Sequence, residues 1–176
     1  LFFFNPTPAS AMLRSLVGSE MCIRDSLINS SHKVGVDGVL VVDIPGELSL
    51  KAYGIDNEDL DIISLISPTT SKDRIQEIIS NSSGFIYYIT LRGVTGSSHL
   101  DEKEIEKNID YIKSITTTPV MAGFGIKSKD DVQLLSSFSD GVVIGSSIVE
   151  LIHKNSENKD FREVSDYISS MKDAIR

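Results

Sequence analysis

Two glycine-rich segments, Ala122-Gly123-Phe124-Gly125 and Ile144-Gly145-Ser146-Ser147, each close a short apolar run and lead into a helical pattern. Glycine leaves backbone N–H groups unobstructed, and the first amides of a helix have no intrahelical acceptor, so each segment can receive an anion such as phosphate. Two of them on consecutive units predict one phosphate cradle at one end of a sheet. A third polar segment runs from Tyr87 to Ser98, with Gly93 and Gly96 permitting a mobile loop and Thr95 offering a hydroxyl. It reads either as a lid that excludes water from a site or as an ordinary surface loop. Asp43, at the end of a strand-like run, is the one carboxylate expected at the same mouth. Alone it cannot act as acid and base at once.

Other chemistry is thin. His32, His99 and His153 have no partner residue at a telling spacing and read as surface residues. Cys22 is the single cysteine and no Cys/His cluster has metal-ligand spacing, so a reducing, cytoplasmic compartment and a metal-free site are expected.

Short β-branched runs must position these groups: Val39 to Asp43, Ile63 to Ser67, Phe85 to Thr90, Val120 to Gly123 and Val142 to Gly145. Near-continuous apolar strands separated by helix-period segments predict a parallel sheet. Thr70 with Asp73, Ser98 with Asp101 and Ser128 with Asp131 mark helix starts, each a cap residue followed three positions later by an acid. Ile105, Ile109, Ile112 and Ile115 stripe one helix, and Phe161, Val164, Ile168 and Met171 stripe the last. A crossover helix is expected between Glu47 and Asp59. The fold class is α/β, a partial (β/α)₈ (TIM) barrel. A complete barrel takes about 250 residues, and its phosphate site uses the loops after strands seven and eight, so these five units are expected to be the last five, with strands one to three missing.

With 176 residues, 40% hydrophobic and 24% charged, the composition is that of a globular protein. A net charge of −8 argues against an extended nucleic-acid or anionic-membrane footprint and favours a small-molecule ligand. Residues 1 to 26 lack the pattern of a secretory signal and match nothing downstream in style. They are expected to be a non-native or disordered segment, the alternative being an irregular native arm, and residues 27 to 176 an incomplete barrel domain.

Gly35 to Pro45, then Ser67-Pro68-Thr69-Thr70, then Tyr87 to Gly96, then Gly123 to Ile126, then Gly145 to Val149 follow in an order that resembles the tryptophan synthase α subunit. Single elements are shared with other phosphate-binding barrels, whereas the Gly-Val-Thr-Gly lid joined to the rest is specific. The resemblance implies retro-aldol cleavage of indole-3-glycerol phosphate to indole and glyceraldehyde 3-phosphate, with no cofactor in this subunit. It also implies an α2β2 assembly with a β subunit that carries pyridoxal phosphate. Gly96, Gly125, Gly145 and Ser146 would contact phosphate. Leu40, Ile66, Tyr87 and Phe124 would wall the indole ring, and Thr95 would close the lid; for Leu40 and Ile66 barrel-core packing is an equal reading. Asp43 resembles a structural or subunit-contact acid. The family's acid and base carboxylates, on a strand reading like EIGVPFSDP, have no counterpart in residues 1 to 33. The isolated chain is therefore expected to be inactive and poorly folded. The alternatives are another phosphate-binding barrel enzyme and a non-catalytic half barrel that binds a phosphorylated ligand or a partner.

Overall fold

The computed structural model describes residues 35–40, 46–47, 60–90, 102–123, 125–156 and 160–175. The described strands are β1 (Gly38–Val39), β2 (Asp61–Ile62), β3 (Ser64–Ile66), β4 (Ile86–Ile89), β5 (Val120–Gly123) and β6 (Gly141–Val143). The described helices are α1 (Lys72–Ser80), α2 (Glu102–Ile115), α3 (Lys129–Ser136), α4 (Ser146–Asn155) and α5 (Arg162–Asp173). All strand pairings are parallel and sequential, β1 with β2 and then β3-β4-β5-β6.

The second of the five expected strands is divided. Asp61 and Ile62 pair with β1, Ile63 N–H donates to Val39 O at 2.9 Å, and from Ser64 the chain pairs instead with β4. The break falls where the run passes from one neighbour to the next. The last strand begins at Gly141, one residue earlier than the sequence suggests, because Gly141 pairs with Met121.

The core lies between the sheet and its helices. Ile66, Ile86, Tyr88, Val120 and Ala122 contribute from the strands, and Ile75, Ile78, Ile105, Ile109, Ile112, Val132 and Leu135 from the helices. A strand alternates its faces, so Leu65, Tyr87 and Met121 point the other way, and all three are only half-buried. In the expected barrel that second face is the interior side. Large and small residues interlock on it: Met121 fills the space beside Gly141, and Tyr87 fills the space over Gly123.

Helix ends follow local chemistry with two departures. Ser128 Oγ accepts from Asp131 N–H while Asp131 Oδ2 accepts from Ser128 N–H, the reciprocal cap the sequence suggests. For α1 the cap is Ser71, not Thr70, and it makes no side-chain cap bond. Thr70 Oγ1 is used to accept from Ser67 N–H, which closes the preceding turn. The apolar stripes also stop short, with Ile115, Phe161 and Ile168 exposed where burial was expected. Each sits at or beyond the margin of its helix's sheet-facing arc, outside the reach of the core. The Ser98–Asp101 cap and nearly all of the Glu47–Asp59 crossover lie outside the described residues.

Among the described residues, no helix is long and apolar enough to cross a membrane.

Candidate functional site

β5 and β6 run parallel with Gly123 opposite Val143, so the turns that follow them emerge at the same edge of the sheet. Gly125 has φ +72°, a left-handed conformation that a side chain would strain, two residues after the end of β5. Ile126 then buries its side chain in the sheet–helix core, anchoring the turn. Asp131 Oδ2 accepts from the N–H groups of Lys127 and Ser128 at 3.2 and 3.1 Å. This carboxylate therefore ties down the residues that leave the turn.

The second turn places Gly145 as the residue before α4, its carbonyl accepting from Ile148 and Val149 N–H at 3.0 and 3.1 Å. Ser146 and Ser147 N–H precede any intrahelical acceptor. The other described helices carry an acidic residue in the first turn, and α4 carries none. Its positive end therefore meets no carboxylate from its own first turn. Gly145 and Ser146 are exposed, and no atom lies within 4 Å of the Cβ position at Gly145. Ser147 Oγ donates to Ile126 O at 3.2 Å, joining the two turns directly.

Tyr87 stands beside this edge on the interior face. Its Cε2 and hydroxyl lie 2.8 and 2.9 Å from where a Cβ on Gly123 would be, and Val143 O lies 2.7 Å from it. Gly123 thus serves as a gap over which the Tyr87 ring lies, in addition to ending its strand. Burial pushes the Tyr87 phenol above its usual range, so it presents a neutral hydroxyl to the site near neutrality. Tyr88, one residue on, faces the helices and accepts a 3.0 Å bond from Asn108 Nδ2.

Of the residues expected to form the site, Gly125, Gly145 and Ser146 come together on one edge with Tyr87 close by. Leu40, directly after β1, is half-buried, and strand alternation puts it on the face of Gly38 against which Ile63 Cδ1 packs. Ile66 is not with them. It has no exposed surface and packs among the helix-facing side chains, opposite Tyr87. Thr95, Gly96, Phe124 and Asp43 lie outside the described residues, as do His32, His99 and Cys22. His153 is exposed on α4, and no metal-binding group of His, Cys, Asp or Glu occurs among the described residues.

A separate groove of about 330 Å³ lies between α4, α5 and the β5 turn, lined by Lys127, Ser147, Glu150, Leu151, Lys154 and Tyr167. None of the expected site residues lines it. The Ser147 tie was missed by sequence reasoning because its acceptor is a carbonyl 21 residues away. A hydroxyl at the second position of a helix gives no signal of such a partner.

Residues 20–176 match the family model described as tryptophan synthase alpha chain. The match starts upstream of Gly35, where the ordered motifs begin. The tryptophan synthase alpha chain of Desulfatibacillum aliphaticivorans is 41% identical over 144 residues, 81% of this chain and 54% of that protein. That of Neisseria meningitidis serogroup B is 39% identical over 145 residues, 82% and 55% of the two chains. The crystal structure of tryptophan synthase subunit alpha from Legionella pneumophila str. Paris superposes with a TM-score of 0.66 at 30% identity, over 86% of this chain and 56% of that one. Mycobacterium tuberculosis tryptophan synthase reaches a TM-score of 0.71 at 21% identity, a likeness of fold, over 87% of this chain and 57% of that one. The chain spans about half the length of the curated relatives it matches, and its parallel arc with helices is part of a (β/α)₈ barrel.

Proposed function

This chain belongs to the tryptophan synthase alpha chain family, and from that premise we propose that its β5 and β6 turns hold the phosphate of indole-3-glycerol phosphate. The observation that carries the reading is the hydrogen-bonded convergence of the two turns at one sheet edge beside Tyr87. Amides at Gly125, Gly145 and Ser146, with Gly96 from the loop, would donate to the dianion, helped by the positive end of α4. Phosphate captured there directs the indole ring toward the interior face, where Tyr87 and Leu40 would contribute to the wall, and the family resemblance assigns Phe124 to the same wall. The Tyr87 hydroxyl gives that wall one polar edge, and by the family resemblance Thr95 would close over the substrate. Ile66, on the opposite face of its strand, supports the wall from the core.

Retro-aldol cleavage in this family needs a group to protonate the indole ring carbon and another to deprotonate the glycerol hydroxyl. The paired carboxylate motif of the resemblance is absent from the 176 residues. The proposed role of this chain by itself is therefore capture and orientation of the substrate, and the lyase reaction belongs to a barrel that also carries those carboxylates. No cofactor is assigned to this chain. The proposed partner is a tryptophan synthase β subunit bearing pyridoxal phosphate, and the proposed location is the cytoplasm.

Calorimetric titration of the full chain with indole-3-glycerol phosphate, glycerol 3-phosphate and indole, combined with an assay for released indole, tests this. Binding strongest for the indole phosphate with no indole release is expected. Equal weak binding of all three, or indole release, would contradict it.

A further inference from the structure

The ladder between β5 and β6 ends at Gly123 and Val143. Gly125 and Ser146, the donors beyond it, belong to two different β/α units. Their separation decides whether both can reach one phosphate. Asp131 fixes the exit of the first turn internally, through the amides of Lys127 and Ser128, and says nothing about the second. The described bond that spans the gap runs from Ser147 Oγ to Ile126 O, 3.2 Å. Ile126 is 4% exposed and wedged in the sheet–helix core, so its carbonyl is a fixed post. Because the tie comes from the side chain, the backbone N–H of Ser147 stays uncommitted at the helix end.

We propose that Ser147 is a positioning residue for phosphate capture: its hydroxyl pins the first turn of α4 to the β5 turn, holding the two sets of amide donors at the separation one dianion requires. This rests on the reading of the two turns as a single phosphate cradle. Without the tie, the first turn of α4 loses its described hydrogen bond to the β5 turn, and bound phosphate must itself order the two turns. The affinity cost is capped by the strength of one ordinary hydrogen bond, about tenfold. Ser147 touches no reacting atom in this account, and it acts through the donors it places.

The test is titration of the full chain with inorganic phosphate for the native sequence, Ser147→Ala and Ser147→Thr, with a thermal melt of each. Ser147→Ala should bind phosphate about tenfold more weakly while its melting temperature moves by no more than a few degrees, and Ser147→Thr, which keeps the hydroxyl, should bind like the native chain. Unchanged affinity in Ser147→Ala overturns the proposal and leaves the cradle intact. Absence of phosphate binding by the native chain overturns the cradle and the proposal with it. Should Ser147→Ala lose its cooperative melt, Ser147→Thr against Ser147→Val decides, since the two have the same shape and differ by the hydroxyl. Equal affinities there overturn the proposal.

Discussion

Replacing Gly123 with alanine places one methyl group where the structure has no room for it. The new Cβ would meet Val143 O at 2.7 Å, Tyr87 Cε2 at 2.8 Å and the Tyr87 hydroxyl at 2.9 Å. Two of these atoms belong to a side chain that can swing away, at the cost of the packing that keeps Tyr87 half-buried. The third is a backbone oxygen of β6, opposite Gly123 in the parallel ladder, and it can retreat only if the β5–β6 pairing opens. Overpacking of this kind costs about 1–3 kcal/mol, and the backbone contact puts Gly123→Ala near the upper end, about 3 kcal/mol. In urea unfolding followed by circular dichroism, that is a midpoint lowered by about 1–2 M. Tyr87→Leu in the same background removes both ring contacts and leaves Val143 O untouched, so about half the loss should return. A Gly123→Ala chain with an unchanged midpoint would refute the close-approach argument. Full recovery by Tyr87→Leu would refute the part assigned to Val143.

Asp131→Ala removes the reciprocal cap and the tie on Lys127, and a loss of about 1–2 kcal/mol is expected in the same urea assay. Among the described residues the buried Tyr167 hydroxyl has no hydrogen-bond partner, so Tyr167→Phe should leave the melting temperature unchanged or raise it, by the equivalent of about 1 kcal/mol at most. Asp140 is held below the usual aspartate range, first by its bond from Lys113 and then by Val120 N–H. A lowered carboxylate pKa stabilises the fold above the unfolded value, about 3.9, and that contribution disappears as pH falls through the folded value. Both partners are more than a third exposed, so solvent screening limits the effect to about 1 kcal/mol, and Asp140→Asn should flatten the acid limb of a stability–pH curve by that amount. Burial raises the phenols of Tyr87 and Tyr88, and an ultraviolet titration should show both ionising above the usual tyrosine value of about 10. The stability they retain as neutral phenols is complete below that value and is lost as pH rises through the folded one.

The parallel arc was legible because buried strands read as apolar runs, and Val120 to Gly123 needed no tertiary information to be found. The cap at Ser128 was equally plain, since hydroxyl and carboxylate sit three residues apart and satisfy each other locally. What escaped the sequence depends on contacts between units. Ile66 and Tyr87 are both apolar strand residues, and only the pairing of Leu65 with Tyr87 and Ile66 with Tyr88 separates their faces. Gly123 reads as a turn residue, yet a ring one strand away is what requires it. Phe161 and Ile168 fit a helical stripe, but periodicity does not say how wide an arc the neighbouring elements cover. Similarly, a serine at a helix start gave no hint of the carbonyl it reaches in the adjacent turn.

In the proposed reading the turns after β5 and β6 form one anion site beside Tyr87. Nitrogen-15 NMR titration of the full chain with glycerol 3-phosphate measures it residue by residue. The amides of Gly125, Gly145 and Ser146 should shift together along one binding curve. Shifts confined to the groove of Lys127, Glu150 and Lys154, or separate curves for the two turns, would contradict it.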